Sequence, residues 1–111
     1  MSKYGNRKVE INGILFDSLR EARRYTELRI LERAGHISKL EVHKKYVLIP
    51  TQRDKAGKLL EQQCSYYADF SYVDNDSGRV VVEDTKGVRT EAYRIKRKMM
   101  LYVHGIIVKE I

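Results

Sequence analysis

Tyr67-Ala68-Asp69-Phe70 and, one turn later, Val80-Val81-Val82-Glu83-Asp84-Thr85-Lys86-Gly87 place acidic side chains inside apolar runs. Both runs have strand composition, β-branched or aromatic with alternating character, and Asp74-Asn75-Asp76-Ser77-Gly78 between them is a cluster of turn formers. The stretch reads as a hairpin. Pairing Val73 with Val80 sets Asp69 directly opposite Asp84 on one face, with Cβ atoms roughly 5 Å apart. Lys86, two residues beyond Asp84, shares that face. Two carboxylates this close among valines destabilise a sheet unless one is protonated or a cation bridges them, and a divalent metal is the simplest remedy. A slip by one residue would set Glu83 opposite Asp69 and turn Lys86 away, yet even that register pairs two carboxylates.

The 111 residues are read as a single domain spanning 1–111 with one modest core. Lys+Arg 22 against Asp+Glu 15 gives a net charge of +7, in a chain whose 42% hydrophobic content is normal for a folded protein. Folded and basic suggests a polyanionic partner, with a merely solvated basic surface as the alternative. The single cysteine, Cys64, cannot form an internal disulfide, so the cytoplasm is the default expectation. The N-terminus lacks an apolar core of signal-peptide length, and no run approaches the ~20 apolar residues of a membrane span, so a soluble protein is expected.

Upstream, Val9-Glu10-Ile11 and Ile14-Leu15-Phe16 flank Asn12-Gly13, which suits a two-residue type I′ turn and predicts a hairpin over 8–16. Lys3, Arg7 and Lys8 form a short arm read as frayed rather than phosphate-bound. A helix over 18–34 is bounded by Ser18 and by Gly35 as its stop. Ser18-x-x-Glu21 fits a capping box, but Glu21, Tyr25, Leu28 and Leu31 also recur as an inward stripe, and a carboxylate there asks for a partner. Cap and functional ligand stand as alternatives for Glu21.

Leu40, Val42, Tyr46 and Leu48 alternate along a strand kinked near His43-Lys44 and ending at Pro50, the first of three meandering strands over 38–86. Thr51 to Lys58 reads as a hairpin tip whose Arg53, Lys55 and Lys58 are candidates for nucleic-acid backbone contacts, against the commoner solvated loop. Thr90 caps a second helix over 90–104, with Gly105 as its stop. Its expected apolar stripe is Ala92, Ile95, Met99, Tyr102 and Val103, with Lys96 at the border and Tyr93 a step further round. Arg94, Arg97 and Lys98 are expected on the exposed surface, where the lack of acidic partners at i±4 favours a bound anion. Residues 106–110 read as a closing strand.

Other site types fare poorly. His36, His43 and His104 are scattered and the lone cysteine permits no zinc spacing. Asp74-x-Asp76-x-Gly78 echoes a calcium loop only faintly, with Thr85 where glutamate is needed. There is no Gly-rich phosphate loop and no nucleophile motif.

Asp69, then Asp84-x-Lys86, with Glu21 before and Tyr93 or Lys96 after, resembles the pattern of the PD-(D/E)xK (restriction-endonuclease-like) nuclease superfamily. More closely, the chain resembles a family of small phage and prophage proteins of uncharacterised function. The matching segments are Phe16-Asp17-Ser18, Glu21-Ala22-Arg23-Arg24-Tyr25, Tyr67-Ala68-Asp69-Phe70, Val82-Glu83-Asp84-Thr85-Lys86-Gly87 and the basic helix Tyr93 to Lys98. Ala68 stands where the motif has its proline. The resemblance implies an α/β (α+β) fold with an αβββαβ core, to which the first hairpin is an addition. It implies Asp69, Asp84, the Thr85 carbonyl and Glu21 as ligands of Mg²⁺, with Mn²⁺ as a substitute, and Lys86 to orient or deprotonate the attacking water. It further implies DNA as substrate, a 5′-phosphate product, a role in phage DNA recombination, repair or processing inside the bacterial host, no membrane partner, and compatibility with a homodimer. Arg94, Lys96, Arg97, Lys98, Tyr93, Arg53, Lys55 and Lys58 are the expected nucleic-acid contacts. The competing expectation is a non-catalytic nucleic-acid-binding accessory protein on the same fold.

Overall fold

A computed structural model describes residues 8–85 and 88–111. The fold is α+β. β1 (Val9–Ile11) and β2 (Ile14–Phe16) form the first hairpin, and α1 (Leu19–Arg33) follows. Asn12 and Gly13 both have positive φ, 52° and 79°, as the Asn-Gly turn requires. β3 (Ile37–Ile49), β6 (Cys64–Asp74), β7 (Val80–Asp84) and β8 (Lys109–Glu110) form one sheet in that order. β4 (Gln52–Arg53) and β5 (Leu59–Glu61) make a separate small ribbon between β3 and β6, and α2 (Glu91–His104) connects β7 to β8. The first three sheet strands are antiparallel and β8 is parallel to β7, so the sheet is mixed. With the hairpin and ribbon set aside, the order is αβββαβ.

Local signals place the helix ends. Ser18 is extended and its hydroxyl accepts from the Glu21 N–H, and Thr90 does the same for Tyr93. Gly105 closes α2 in the left-handed region, where a side chain would be strained. The closing strand is shorter than expected, since only Lys109 and Glu110 pair with β7.

Two core clusters build the domain. Phe16, Ala22, Tyr25 and Leu28 pack with Phe70 and Tyr72 on the α1 side, while Tyr93 and Met100 pack with Tyr66, Ala68 and Val82 on the α2 side. In a regular strand residues 66, 68, 70 and 72 would share a face. Here Tyr66 and Ala68 belong to one cluster and Phe70 and Tyr72 to the other, so β6 turns over at Asp69. β3 turns over beside it: Leu40 and Val42 pack on the α1 side, Tyr46 and Leu48 on the α2 side, and His43 between them has φ 55°. The ladder steps from Val42↔Phe70 to Lys44↔Ala68 across this point. The pairing itself stays in register here, and the register shifts of this ladder lie elsewhere, between Ser38 and Glu41 and between Val47 and Ile49.

Helix α2 corrects one expectation. Its buried residues are Tyr93 and Met100, whereas Ala92, Ile95, Tyr102 and Val103 face solvent, Tyr102 being 91% exposed. The helix docks through a mixed stripe, Tyr93, Arg97 and Met100 at i, i+4 and i+7, because β8 brings up a carboxylate for the polar members. Tyr93 OH donates to Glu110 Oε2 at 2.7 Å and Arg97 Nη1 donates to the same oxygen at 3.0 Å.

Candidate functional site

The β6–β7 hairpin has the expected register. Val73 pairs with Val80, and the ladder runs through Ser71↔Val82 to Phe70↔Glu83. The observed pairing ends there, one step short of Asp69, at the turnover of β6, and Asp84, at the end of β7. Asp84 is buried at 1% exposure. Its Oδ2 accepts a hydrogen bond from Tyr66 OH. Burial first, and then the bond to Asp84, push the Tyr66 phenol far above its ordinary pKa, so it stays a protonated donor. Asp69 is half-buried, and its Oδ2 accepts from both the N–H and the hydroxyl of Thr85, each at 2.7 Å. The negative charges of Asp69 and Asp84 both bear on Tyr66. Lys86 lies outside the described residues.

Glu83 alternates to the opposite face. It is fully buried, held in a fork by Arg24 Nε at 2.7 Å and Arg24 Nη2 at 2.6 Å, with Tyr72 OH donating to Oε2. The hairpin therefore gives its two consecutive carboxylates different tasks: Glu83 ties β7 to α1, and Asp84 joins Asp69 at the strand end.

Glu21 is only half a capping box. Its N–H donates to Ser18 Oγ at 3.1 Å, but its carboxylate, 5% exposed, accepts from His43 Nε2 at 3.0 Å instead of reaching back to Ser18. Burial and then the Asp69 charge raise the Glu21 pKa, and the His43 hydrogen bond opposes them. Glu21 is thus within electrostatic reach of Asp69, and the turnover of both strands puts His43 and Asp69 near the start of α1. Sequence reading missed His43 and Tyr66 as members of this cluster. The kink near His43 was its one visible trace, while the bond from Tyr66 to a carboxylate eighteen residues later leaves none.

The basic residues separate into engaged and open ones. Arg97 is ion-paired with Glu110, as is Arg89 at 2.8 Å, so the expectation of an unpaired cluster fails at Arg97, whose partner comes from β8 rather than from i±4. Lys96 is half-buried, while Arg94 and Lys98 are exposed on α2. Arg53, Lys55 and Lys58 are exposed around the β4–β5 ribbon, and Arg53 Nη1 donates to the Gly57 carbonyl at 3.0 Å.

Hydrogen bonds from Tyr93, Arg89 and Arg97 hold Glu110 near a pKa of about 2. A carboxylate depressed in the folded state contributes stability above its unfolded pKa, and that contribution is lost as pH falls toward the folded value. Glu110→Gln is expected to melt below wild type at neutral pH, with the gap closing as pH falls from about 4.5 to about 2. A pH-independent gap in melting curves would assign the loss to packing.

Among the described residues no three of His, Cys, Asp and Glu are grouped to hold a metal. The hairpin end offers instead two hard carboxylates, the type of donor Mg²⁺ takes in ones and twos while keeping several waters. Among the described residues, no helix is long and apolar enough to cross a membrane.

Fold and site together define an α+β domain with a mixed sheet and an acidic pair where an antiparallel hairpin ends. The chain belongs to the family described as "Protein of unknown function (DUF1064)", whose model matches residues 1–107. No curated protein and no solved structure matches it.

Proposed function

We propose that the protein is a metal-dependent deoxyribonuclease of the PD-(D/E)xK type. The observation that carries this reading is the register Val73↔Val80 through Phe70↔Glu83, which brings Asp69 and Asp84 to one strand end next to Thr85. The αβββαβ order and the net charge of +7 support it. Asp69 and Asp84 would hold Mg²⁺ or Mn²⁺, and the bound ion would supply Lewis-acid polarisation of a phosphodiester and an acidified water. Glu21 sits close enough to influence Asp69 electrostatically and contributes most simply through water. The Thr85 hydroxyl and N–H fix the Asp69 carboxylate, and Tyr66 fixes that of Asp84, so neither need reorganise when the substrate arrives. Lys86 and exposed cations such as Arg94 and Lys98 offset phosphate charge. The second reading, a non-catalytic nucleic-acid-binding protein on this fold, draws on the lack of a three-ligand group among the described residues.

Supercoiled DNA incubated with protein and titrated Mg²⁺ or Mn²⁺ distinguishes the two: metal-dependent nicking is the expected result, and binding without nicking at any metal concentration favours the second. The same assay assigns Glu21. If Glu21 helps hold metal and His43 orients it, Glu21→Gln and His43→Asn should each raise the metal concentration required by about 10–100-fold, the usual loss when an orienting partner is removed. Asn tolerates the left-handed backbone at His43, so the fold should persist. The double variant should be no worse than Glu21→Gln alone. A lowered melting temperature with an unchanged metal requirement would make Glu21 structural.

A further inference from the structure

Lys45 pairs with Tyr67 and Val47 with Ser65 across β3 and β6, so these four side chains share one face. The intervening pair, Tyr46 and Tyr66, points the other way into the cluster under α2. Because both strands turn over at His43 and Asp69, the α1-side cluster ends there, and this face beyond the turnover belongs to neither core. Tyr67 is 60% exposed, whereas Tyr66, Phe70 and Tyr72 on the same strand are all buried. Val47 and Ile49 are also exposed, and the strands run on into the β4–β5 ribbon with Arg53, Lys55 and Lys58. Asp54, at that tip, has its Oδ1 taken by the Ala56 and Lys58 N–H groups. Toward the other end, Tyr67 stands two residues before Asp69 on β6, across the buried Ala68, so the open face runs up to the turnover where Asp69 lies.

An exposed tyrosine beside a lysine, on a sheet face with aliphatic neighbours and cations beyond, suits a base with both of its faces available. In a duplex those faces are already stacked, and a flat sheet meets phosphates first; in an unpaired segment they are free, and aromatic stacking with cationic flanks is the general means of holding such a strand. We propose that Tyr67 and Lys45 form a stacking platform for an unpaired nucleotide next to the acidic pair, making the preferred substrate a nucleic acid with a single-stranded segment at a fork, flap or end. This rests on the nuclease reading for the chemistry at Asp69 and Asp84.

The test uses the full chain, in Ca²⁺ to suppress cleavage, with three probes carrying 2-aminopurine: a single strand, a forked duplex and a blunt duplex. The fork and single strand should bind more tightly than the blunt duplex, with the 2-aminopurine quenched by stacking. Tyr67→Ala should weaken fork binding by about five- to a hundredfold, collapsing the fork-to-blunt ratio, while Tyr67→Phe keeps it. Because Tyr67 is largely exposed, Tyr67→Ala should fold and melt as wild type does. A fork-to-blunt ratio unchanged in Tyr67→Ala, or equal weakening on all three probes, overturns the platform while Mg²⁺-dependent nicking of duplex leaves the nuclease reading intact. Absence of binding to every probe removes both. Loss of a dimer in sedimentation on Tyr67→Ala, with nucleic-acid affinities unchanged, would overturn the platform and assign this face to a second copy of the chain.

Discussion

Arg24→Met is expected to lower the unfolding free energy by about 3–5 kcal/mol, the loss usual when one partner of a buried ion pair is removed. Glu83 is 0% exposed, and the guanidinium meets both its oxygens. The hydrogen bond to Glu83 is the largest influence on Arg24 and raises its pKa still further, so Arg24 stays charged at all working pH. Without Arg24, the Glu83 carboxylate is left in the α1-side core with Tyr72 OH donating to it. Glu83→Gln should cost less, because the amide can still accept from Tyr72 and Arg24, about a fifth exposed, can turn to water. The double variant Arg24→Met/Glu83→Gln should recover part of the Arg24→Met loss, since it removes the stranded charge. Urea unfolding of the three variants measures this. A loss below about 1 kcal/mol in Arg24→Met would mean that the pair behaves as a solvated one. The consequence for the site is mechanical: this pair fastens β7, with Asp84 next in sequence, to the helix that carries Glu21.

What could be read in the sequence is what short-range chemistry decides. Asn12-Gly13, Ser18, Thr90 and Gly105 each act within a few residues, and the Val73↔Val80 register follows from a turn whose formers are contiguous. What escaped depends on distant partners. The apolar residues of α2 favour a stripe through Ile95 and Tyr102, but β8 supplies Glu110, and a carboxylate that satisfies Tyr93 and Arg97 together rotates the helix toward them. The turnover at His43 and Asp69 escaped for a different reason. β6 carries apolar or aromatic side chains at 66, 68, 70 and 72, so simple alternation reads one continuous inner face, and only two separate helices packing on opposite sides reveal that the face changes. The capping-box pattern at Ser18 and Glu21 was legible as chemistry but ambiguous as destination, because His43 competes for the same carboxylate from twenty-two residues away.

Asp69→Asn and Asp84→Asn should each reduce Mg²⁺-dependent cleavage by at least about a hundredfold while keeping the fold, since each removes a charge required of a metal ligand but leaves an acceptor oxygen. In Asp84→Asn the amide oxygen can still take the Tyr66 hydroxyl, and in Asp69→Asn it can take the Thr85 N–H and hydroxyl. Melting temperatures close to wild type are therefore expected. Calorimetric Mn²⁺ titration gives the readout independent of turnover: both variants should lose affinity, and DNA binding should persist because the cations proposed to contact phosphate are untouched. Tyr66→Phe sharpens the assignment. It leaves both carboxylates in place but removes the donor that holds Asp84, so Mn²⁺ affinity should fall less than in Asp84→Asn if Tyr66 only orients the ligand. Wild-type cleavage rates in either aspartate variant would remove the acidic pair from the chemistry and leave the nucleic-acid-binding reading in possession of the fold.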